Sequence, residues 1–290
     1  MAGGRMEGRV CVITGATAGM GQATAMELAR RGATVVLVAR SRQKAERTRA
    51  EVVRAAGHDG VGIVLADLSS QAQVRAAAAE IDQRWPAVHV LINNAAAYTR
   101  RREETVDGIE MQLAVNHLAP FLLTNLLLYR LRAGAQARVV TFSSGAHRYG
   151  RIRWDDPGLS RGYNGLLQYS NTKLFNVLFT RELARRVPPP TLTANALHPG
   201  VVGTALLLGG WAPLKLFKRW MRTPEQGART AIWLATSPEV ANVTGEYFRD
   251  ERPARVAPAA LDDDAARRLW ELSAQLTGLD ATASDNVNGG

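Results

Sequence analysis

Tyr169 and Lys173 stand four residues apart. On a helix that spacing puts both side chains on one face, one turn apart. A phenol titrates near pH 10, but a neighbouring ammonium favours the phenolate and lowers that value. Such a pair can give or take a proton at an oxygen atom. A hydroxyl held beside it would steady charge developing on the same oxygen. Ser144 stands 25 residues upstream, at the end of an apolar run. A Tyr-x-x-x-Lys pair alone reads as a surface pair, so the elements that carry these residues must bring them to one crevice.

Apolar runs alternate with helical periodicity along the whole chain. Strands are predicted at 10–14, 34–39, 62–65, 88–92, 138–142 and 193–197, with a shorter one near 246–248. Helices are predicted between them, at 21–31, 41–56, 71–84, 106–132 and 167–187. Most strand segments are β-branched or leucine-rich throughout, as strands covered on both faces should be. The pattern predicts a single α/β domain over residues 9–280, a doubly wound parallel sheet with helices on both faces. Residues 1–8 and 281–290 read as loose polar tails.

Composition narrows the class. A chain of 290 residues with 46% hydrophobic and 21% charged residues can build one large core. Its one cysteine, Cys11, excludes an internal disulfide and a cysteine-clustered metal site, which fits a reducing compartment. No metal is expected. The longest apolar stretch, 121–131, is broken by Thr124, Asn125 and Arg130, so no transmembrane anchor is predicted. Without a secretory leader the expected location is cytoplasmic. The net charge is +10, yet the arginines scatter along predicted helices without interleaved aromatics, so no nucleic-acid partner is expected. Arg100, Arg101 and Arg102 read as a solvated loop.

Directly after the first strand comes Thr14-Gly15-Ala16-Thr17-Ala18-Gly19-Met20-Gly21, and a helix follows at once. Glycines there permit a tight turn and let a pyrophosphate approach the helix N-terminus. Gly15, Thr17, Ala18, Gly19, Met20 and Gly21 are the candidate contacts. At the end of strand two, where an NAD site carries an acidic residue, the chain has Ala39 and then Arg40. No carboxylate remains there to repel a 2′-phosphate, and a guanidinium can pair with it. Arg42 and Lys44 are secondary candidates. The expected cofactor is NADP(H), although Ala18 stands where a supporting basic residue could.

The spacing TGxxxGxG resembles the short-chain dehydrogenase/reductase family, and further motifs follow in that family's order. They are Asp67-Leu68, Asn93-Asn94-Ala95-Ala96, Asn116, Ser143-Ser144, Tyr169-x-x-x-Lys173 and Pro199-Gly200-Val201-Val202-Gly203-Thr204, and the resemblance covers roughly residues 8–278. It implies a Rossmann-like fold. It also implies that Asp67 and Leu68 hold the adenine ring, and that Asn94, Ala95, Gly200, Val202 and Thr204 touch the nucleotide. The implied catalytic residues are Asn116, Ser144, Tyr169 and Lys173, with the second serine of the pair preferred over Ser143. By the same resemblance Lys173 also binds the nicotinamide ribose, and Asn116 holds a water that connects Lys173 to solvent. The implied reaction moves hydride to or from carbon and a proton to or from oxygen, interconverting a carbonyl and an alcohol on a small molecule.

Two segments, 105–121 and 171–179, together with Leu269-Trp270-Glu271-Leu272-Ser273, look like the retinol dehydrogenase-like branch. Members often take lipophilic substrates. Residues 205–222 should form the pocket lid, rich in Leu206, Leu207, Leu208, Trp211, Phe217 and Trp220. The lid suits a bulky substrate, or with Lys215, Lys218 and Arg219 a membrane-touching face; both readings stay open. A homo-oligomer built on the 106 and 167 helices is expected. A catalytically silent nucleotide-binding regulator is the alternative, against which the intact catalytic set argues. His117 and His198 flank motif residues and read as packing groups or as supports for those residues; His147 could face the pocket, but no partner spacing marks it as a base.

Overall fold

The computed structural model describes residues 4–202 and 221–280. The β-branched runs become the strands β1 (Val10–Thr14), β2 (Thr34–Ala39), β3 (Val61–Leu65), β4 (Val90–Asn93), β5 (Ala137–Phe142), β6 (Leu192–His198) and β7 (Tyr247–Arg249). They lie parallel in the order β3-β2-β1-β4-β5-β6-β7, and β8 (Arg252–Pro253) pairs antiparallel on the outer edge. Successive side chains of a strand point to opposite faces. Val12 accordingly joins one core layer, while Cys11 and Ile13 join the other. Helices α1 (Gly19–Arg30), α2 (Arg42–Ala56) and α8 (Pro224–Thr236) cover the Cys11 face. Helices α3 (Gln71–Arg84), α5 (Ala119–Leu126), α7 (Gly165–Arg186) and α9 (Asp263–Thr277) cover the other. This is the expected doubly wound α/β fold.

The strand order reverses between β1 and β4. Loops leaving the carboxyl ends of those two strands diverge to opposite faces, which opens a crevice there. Burial pushes the Cys11 thiol up to about 12, so it packs as a small apolar group. Among the described residues no helix is long and apolar enough to cross a membrane.

Three expectations about elements are corrected. The helix expected over 106–132 is broken into α4 (Met111–Leu113), a π-helical turn (Ala114–Leu118), α5 and α6 (Leu128–Ala133). Gly108 adopts φ +72°, and Glu104 bridges Glu110 across the resulting turn, so no helix can start before Glu110 caps it. Strand β8 was not foreseen. It follows a two-residue turn in which Asp250 and Glu251 both have positive φ, the backbone of a tight hairpin without its usual Asn-Gly signal. The lead-in is not loose over residues 4–8: Met6 is buried in the core, and its N–H bonds the Arg31 carbonyl at 2.8 Å. The C-terminal tail and almost all of the expected lid lie outside the described residues.

Candidate active site

The turn after β1 is built without room for side chains. Gly15 adopts φ +65°, and a Cβ on Gly21 would overlap the Gly15 carbonyl and stand 2.5 Å from Asn94 Nδ2. The Asn94 amide is what occupies that space, donating to Thr14 O (2.8 Å) and Gly15 O (3.2 Å). Thr14 Oγ1 accepts from the N–H groups of Asn94 (3.0 Å) and Ala95 (3.1 Å). The end of β4 is thereby bolted to the turn, and the Asn94 side chain serves the loop itself. Overpacking of this kind costs about 1–3 kcal/mol, roughly ten- to a hundredfold in affinity if it falls on the bound loop. Gly21→Ala should therefore weaken dinucleotide binding by at least that lower factor in a fluorescence titration; unchanged affinity would show that the turn does not hold the nucleotide.

The N-terminus of α1 is left open. Each other long helix among the described residues starts with a side chain that caps it: Ser41, Ser70, Asn164, Thr223 and Asp262. The N-cap of α1 is Ala18, which makes no such bond, and its first turn holds no acid. Its free N–H groups and the positive end of the helix dipole fit a pyrophosphate. Met20, from that first turn, lies beside Val202: a Cβ on Gly227 would meet Val202 Cγ2 at 2.6 Å and Met20 Sδ at 2.8 Å. Gly200 takes φ +83° where the chain leaves β6. Thr204 lies outside the described residues.

Arg40 emerges at the end of β2 with its side chain 79% exposed. The end of β2 carries no carboxylate, but one approaches Arg40 from the neighbouring strand. Asp67, following β3, brings Oδ2 to 3.5 Å from Arg40 Nη1 because β2 and β3 are paired neighbours. Burial works to raise the Asp67 pKa, but hydrogen bonds from Ser69 and the Arg40 charge outweigh it and hold the carboxyl below its usual range. Leu68 packs its side chain against the core, and Lys44 is exposed on the first turn of α2.

The predicted catalytic set converges. Ser143 turns its hydroxyl away, donating to the Lys173 carbonyl at 2.7 Å. Ser144 instead turns its hydroxyl toward the Tyr169 phenol. Burial pushes that phenol up to about 12, with the Ser144 side chain opposing part of the rise, so the lowered value expected from the neighbouring ammonium is corrected: desolvation of the phenol outweighs it. Lys173 is only 2% exposed; its Nζ donates to Phe142 O at 3.1 Å and lies 5.5 Å from the centre of the Tyr169 ring. Burial pulls the ammonium down to about 8. No carboxylate pairs with it among the described residues, so its charge is directed at the phenol and at whatever binds beside it.

Asn116 sits in the π-helical turn, with both ends of its amide engaged by the protein. Nδ2 donates to Ala97 O (3.0 Å) and Thr172 Oγ1 (3.1 Å), and Oδ1 accepts Ala97 N–H at 2.6 Å. The side chain therefore ties the loop after β4 to α7. The main-chain carbonyl of Asn116 has no ordinary helical donor four residues on, because that residue is Pro120.

Two features escaped the sequence reading. Tyr98 packs edge-on against Tyr169, with ring centres 6.1 Å apart. Glu110 is a 1%-exposed carboxylate that accepts from the N–H groups of Gln112 (2.9 Å) and Leu113 (2.7 Å), from Tyr163 Oη (3.0 Å) and from Gln168 Nε2 (2.8 Å). Gln168 precedes Tyr169, so this buried acid anchors the helix start that presents the phenol. An acid before an apolar helical run does signal a cap, but its burial and its long-range donors had no local signal. His117 is a packing group as expected, ringed by Phe121, Phe175 and Phe179 and pushed down to about 3 by burial.

An open phosphate-binding turn at the sheet's switch point, with a serine, a tyrosine and a buried lysine gathered in one crevice, is the layout of a dinucleotide-dependent oxidoreductase. Residues 9–209 match the short chain dehydrogenase family, and the chain belongs to that family, in its retinol dehydrogenase-like branch. It is 44% identical to retinol dehydrogenase 14 of Homo sapiens over 95% of this chain and 88% of that one. Its identity to retinol dehydrogenase 13 of Homo sapiens is 40%, covering 94% and 86%. An uncharacterized protein from Mycobacterium paratuberculosis superposes with a TM-score of 0.79 at 36% identity, over 96% of each chain. The protein is thus an oxidoreductase of alcohols and carbonyls that uses a nicotinamide cofactor.

Proposed function

We propose that this chain is an NADP(H)-dependent enzyme that interconverts a carbonyl and an alcohol on a bulky, lipophilic small molecule, with Tyr169 moving the proton. The observation that carries the reading is the Ser144 hydroxyl facing the Tyr169 phenol beside a buried lysine that has no carboxylate partner among the described residues. A bound nicotinamide supplies or accepts the hydride. In reduction the Tyr169 phenol gives its proton to the carbonyl oxygen, and in oxidation the phenolate takes the proton from the alcohol. Ser144 donates a hydrogen bond to that oxygen and steadies its charge. Lys173 favours the phenolate through its ammonium charge and is placed to hold the nicotinamide ribose. The Asn116 carbonyl holds the water through which the proton is replaced.

Preference for NADP(H) rests on Ala39 and Arg40, and Asp67 makes it a competition. A 2′-phosphate offers the guanidinium a stronger, doubly charged partner than a single carboxylate oxygen at 3.5 Å. A charge-assisted contact is worth about 1.5–3 kcal/mol, so Arg40→Ala should weaken NADPH roughly ten- to a hundredfold and NADH little. Equal losses for both nucleotides would assign Arg40 to holding Asp67. The lipophilic substrate is supported by the apolar composition of residues 205–222 and by the names of the relatives. A panel of retinal, nonanal, cyclohexanone and acetone with either nucleotide tests the whole reading. Turnover highest with the large aldehydes and NADPH is expected, and no nucleotide oxidation with any of them would sink it.

A further inference from the structure

Two imidazoles that the proposed chemistry does not use meet one peptide unit of the active site. The bond between Ser144 and Gly145 has two polar groups, the Ser144 carbonyl and the Gly145 N–H. His147 Nδ1 lies 2.7 Å from the carbonyl oxygen. The Gly145 N–H donates to His198 Nδ1 at 3.2 Å. The second nitrogen of His147 is also spoken for, since Nε2 accepts the Ala257 N–H at 3.2 Å. His147 comes from the 3₁₀ turn Gly145–Tyr149 and His198 from the end of β6, so the clamp joins two strand ends.

These backbone partners dictate where the protons are. A backbone N–H only donates, so His198 Nδ1 and His147 Nε2 must be bare; a carbonyl only accepts, so His147 Nδ1 carries the hydrogen. His147 is therefore neutral, and a neutral His198 keeps its hydrogen on Nε2. The surroundings agree. Burial lowers both pKa values, taking His198 to about 4, with Arg249, Arg222 and His147 adding to the fall and Asp250 opposing it. For His147 burial is followed by the Ser144 carbonyl, which opposes it, and by Arg148, which adds to it. The Tyr247 ring packs on His147, with centres 4.9 Å apart. The His198 ring packs beside Gly145, where a Cβ would meet its Nε2 at 3.5 Å, an ordinary contact.

The plane of that peptide matters because it ends at Ser144. Ser144 holds an extended backbone (φ −161°, ψ 158°), and rotating the plane changes ψ and with it the environment of Oγ. Oγ now accepts the Ala146 N–H at 3.2 Å and meets the Tyr169 phenol. We propose that His147 and His198 are positioning residues that lock the Ser144–Gly145 peptide from both sides and so hold Ser144 Oγ against Tyr169. The proposal rests on the role given to Ser144 above. Neither imidazole touches the reacting oxygen; both act through the serine.

The test is a double-mutant cycle on NADPH-dependent reduction of the panel aldehyde with the highest turnover. His198→Leu removes the acceptor, whereas His198→Asn keeps an oxygen where Nδ1 stood. Misplacing a reacting group by about an ångström costs on the order of a hundredfold, so His198→Leu should lower kcat roughly ten- to a hundredfold. NADPH affinity should stay near parental, and His198→Asn should recover most of the loss. In a Ser144→Ala background His198→Leu should then have almost no further effect, because residues acting as a unit are not additive. His147→Leu and His147→Asn provide the second pair should His198→Leu fold poorly by thermal unfolding, and the same pattern is expected. The same fold-loss with and without Ser144, or an Asn variant as slow as Leu, would overturn the clamp while leaving the Tyr169 reading intact. A Ser144→Ala enzyme at parental kcat would instead remove the role of Ser144, and the purpose of the clamp with it.

Discussion

Tyr169→Phe should bind NADPH almost as the parent does and lose turnover by about 10²–10⁴-fold, the range a positioned proton donor contributes. The expectation follows from what the phenol oxygen touches. The ring keeps its edge contact with Tyr98 and its place near Lys173, so packing barely changes. Only the phenol oxygen that faces Ser144 and its proton are lost. In the nucleotide-free protein the phenol is pushed up to about 12, so at neutral pH it is protonated and ready to act as an acid. Reduction should therefore be insensitive to pH around neutrality, while oxidation, which needs the phenolate, should rise as pH increases. Steady-state rates in both directions over that range, with Tm and nucleotide affinity as controls, check this. A Phe variant within a few-fold of parental turnover would remove Tyr169 from the mechanism.

Lys173→Met should lose activity and gain stability, and the opposite signs are what make it informative. The ammonium sits at about 8 in the fold against its ordinary 10.5. A depressed pKa on a cation means the fold disfavours the charged form, by on the order of 3 kcal/mol at about 1.4 kcal/mol per unit. That cost is present in full below about pH 8 and is relieved as pH rises toward 10.5, where the unfolded chain also releases the proton. Phe142 O would keep its second donor, Asn176 Nδ2 at 3.1 Å, so methionine leaves no buried carbonyl bare. The variant should thus melt higher than the parent at pH 7, and the difference should shrink by pH 10. Its oxidation profile should move to higher pH, because the charge that favours the phenolate is gone, and nucleotide binding should weaken with the lost ribose contact. A pH–rate profile superimposable on the parent, with unchanged affinity, would mean that Lys173 serves only the fold.

The sequence by itself determined the parts whose physics is local. Strand and helix alternate in hydrophobic period, and the parallel doubly wound sheet follows from that alternation. The glycine turn after β1 is legible because its conformation depends on residues adjacent in the chain. So is the shared face of Tyr169 and Lys173, which follows from helix geometry alone, and Ser144 is legible because a strand end in such a sheet opens on the crevice.

Only the tertiary structure decided how groups far apart in sequence share space. Asp67 meets Arg40 because β2 and β3 are neighbours, and nothing near Arg40 in the chain announces an acid. Glu110 completes its set of donors only because Tyr163 and Gln168, 53 and 58 residues further along the chain, pack beside it. The break in the expected long helix is half legible, since Pro120 is visible, but the commitment of the Asn116 amide to Ala97 and Thr172 is not. His147 and His198 carried no partner spacing, yet they close on the two ends of one peptide unit. Periodicity reports which face a side chain takes; the hydrogen-bond partner it finds there depends on how separate elements pack, because an unpaired polar group in the interior is too costly to leave.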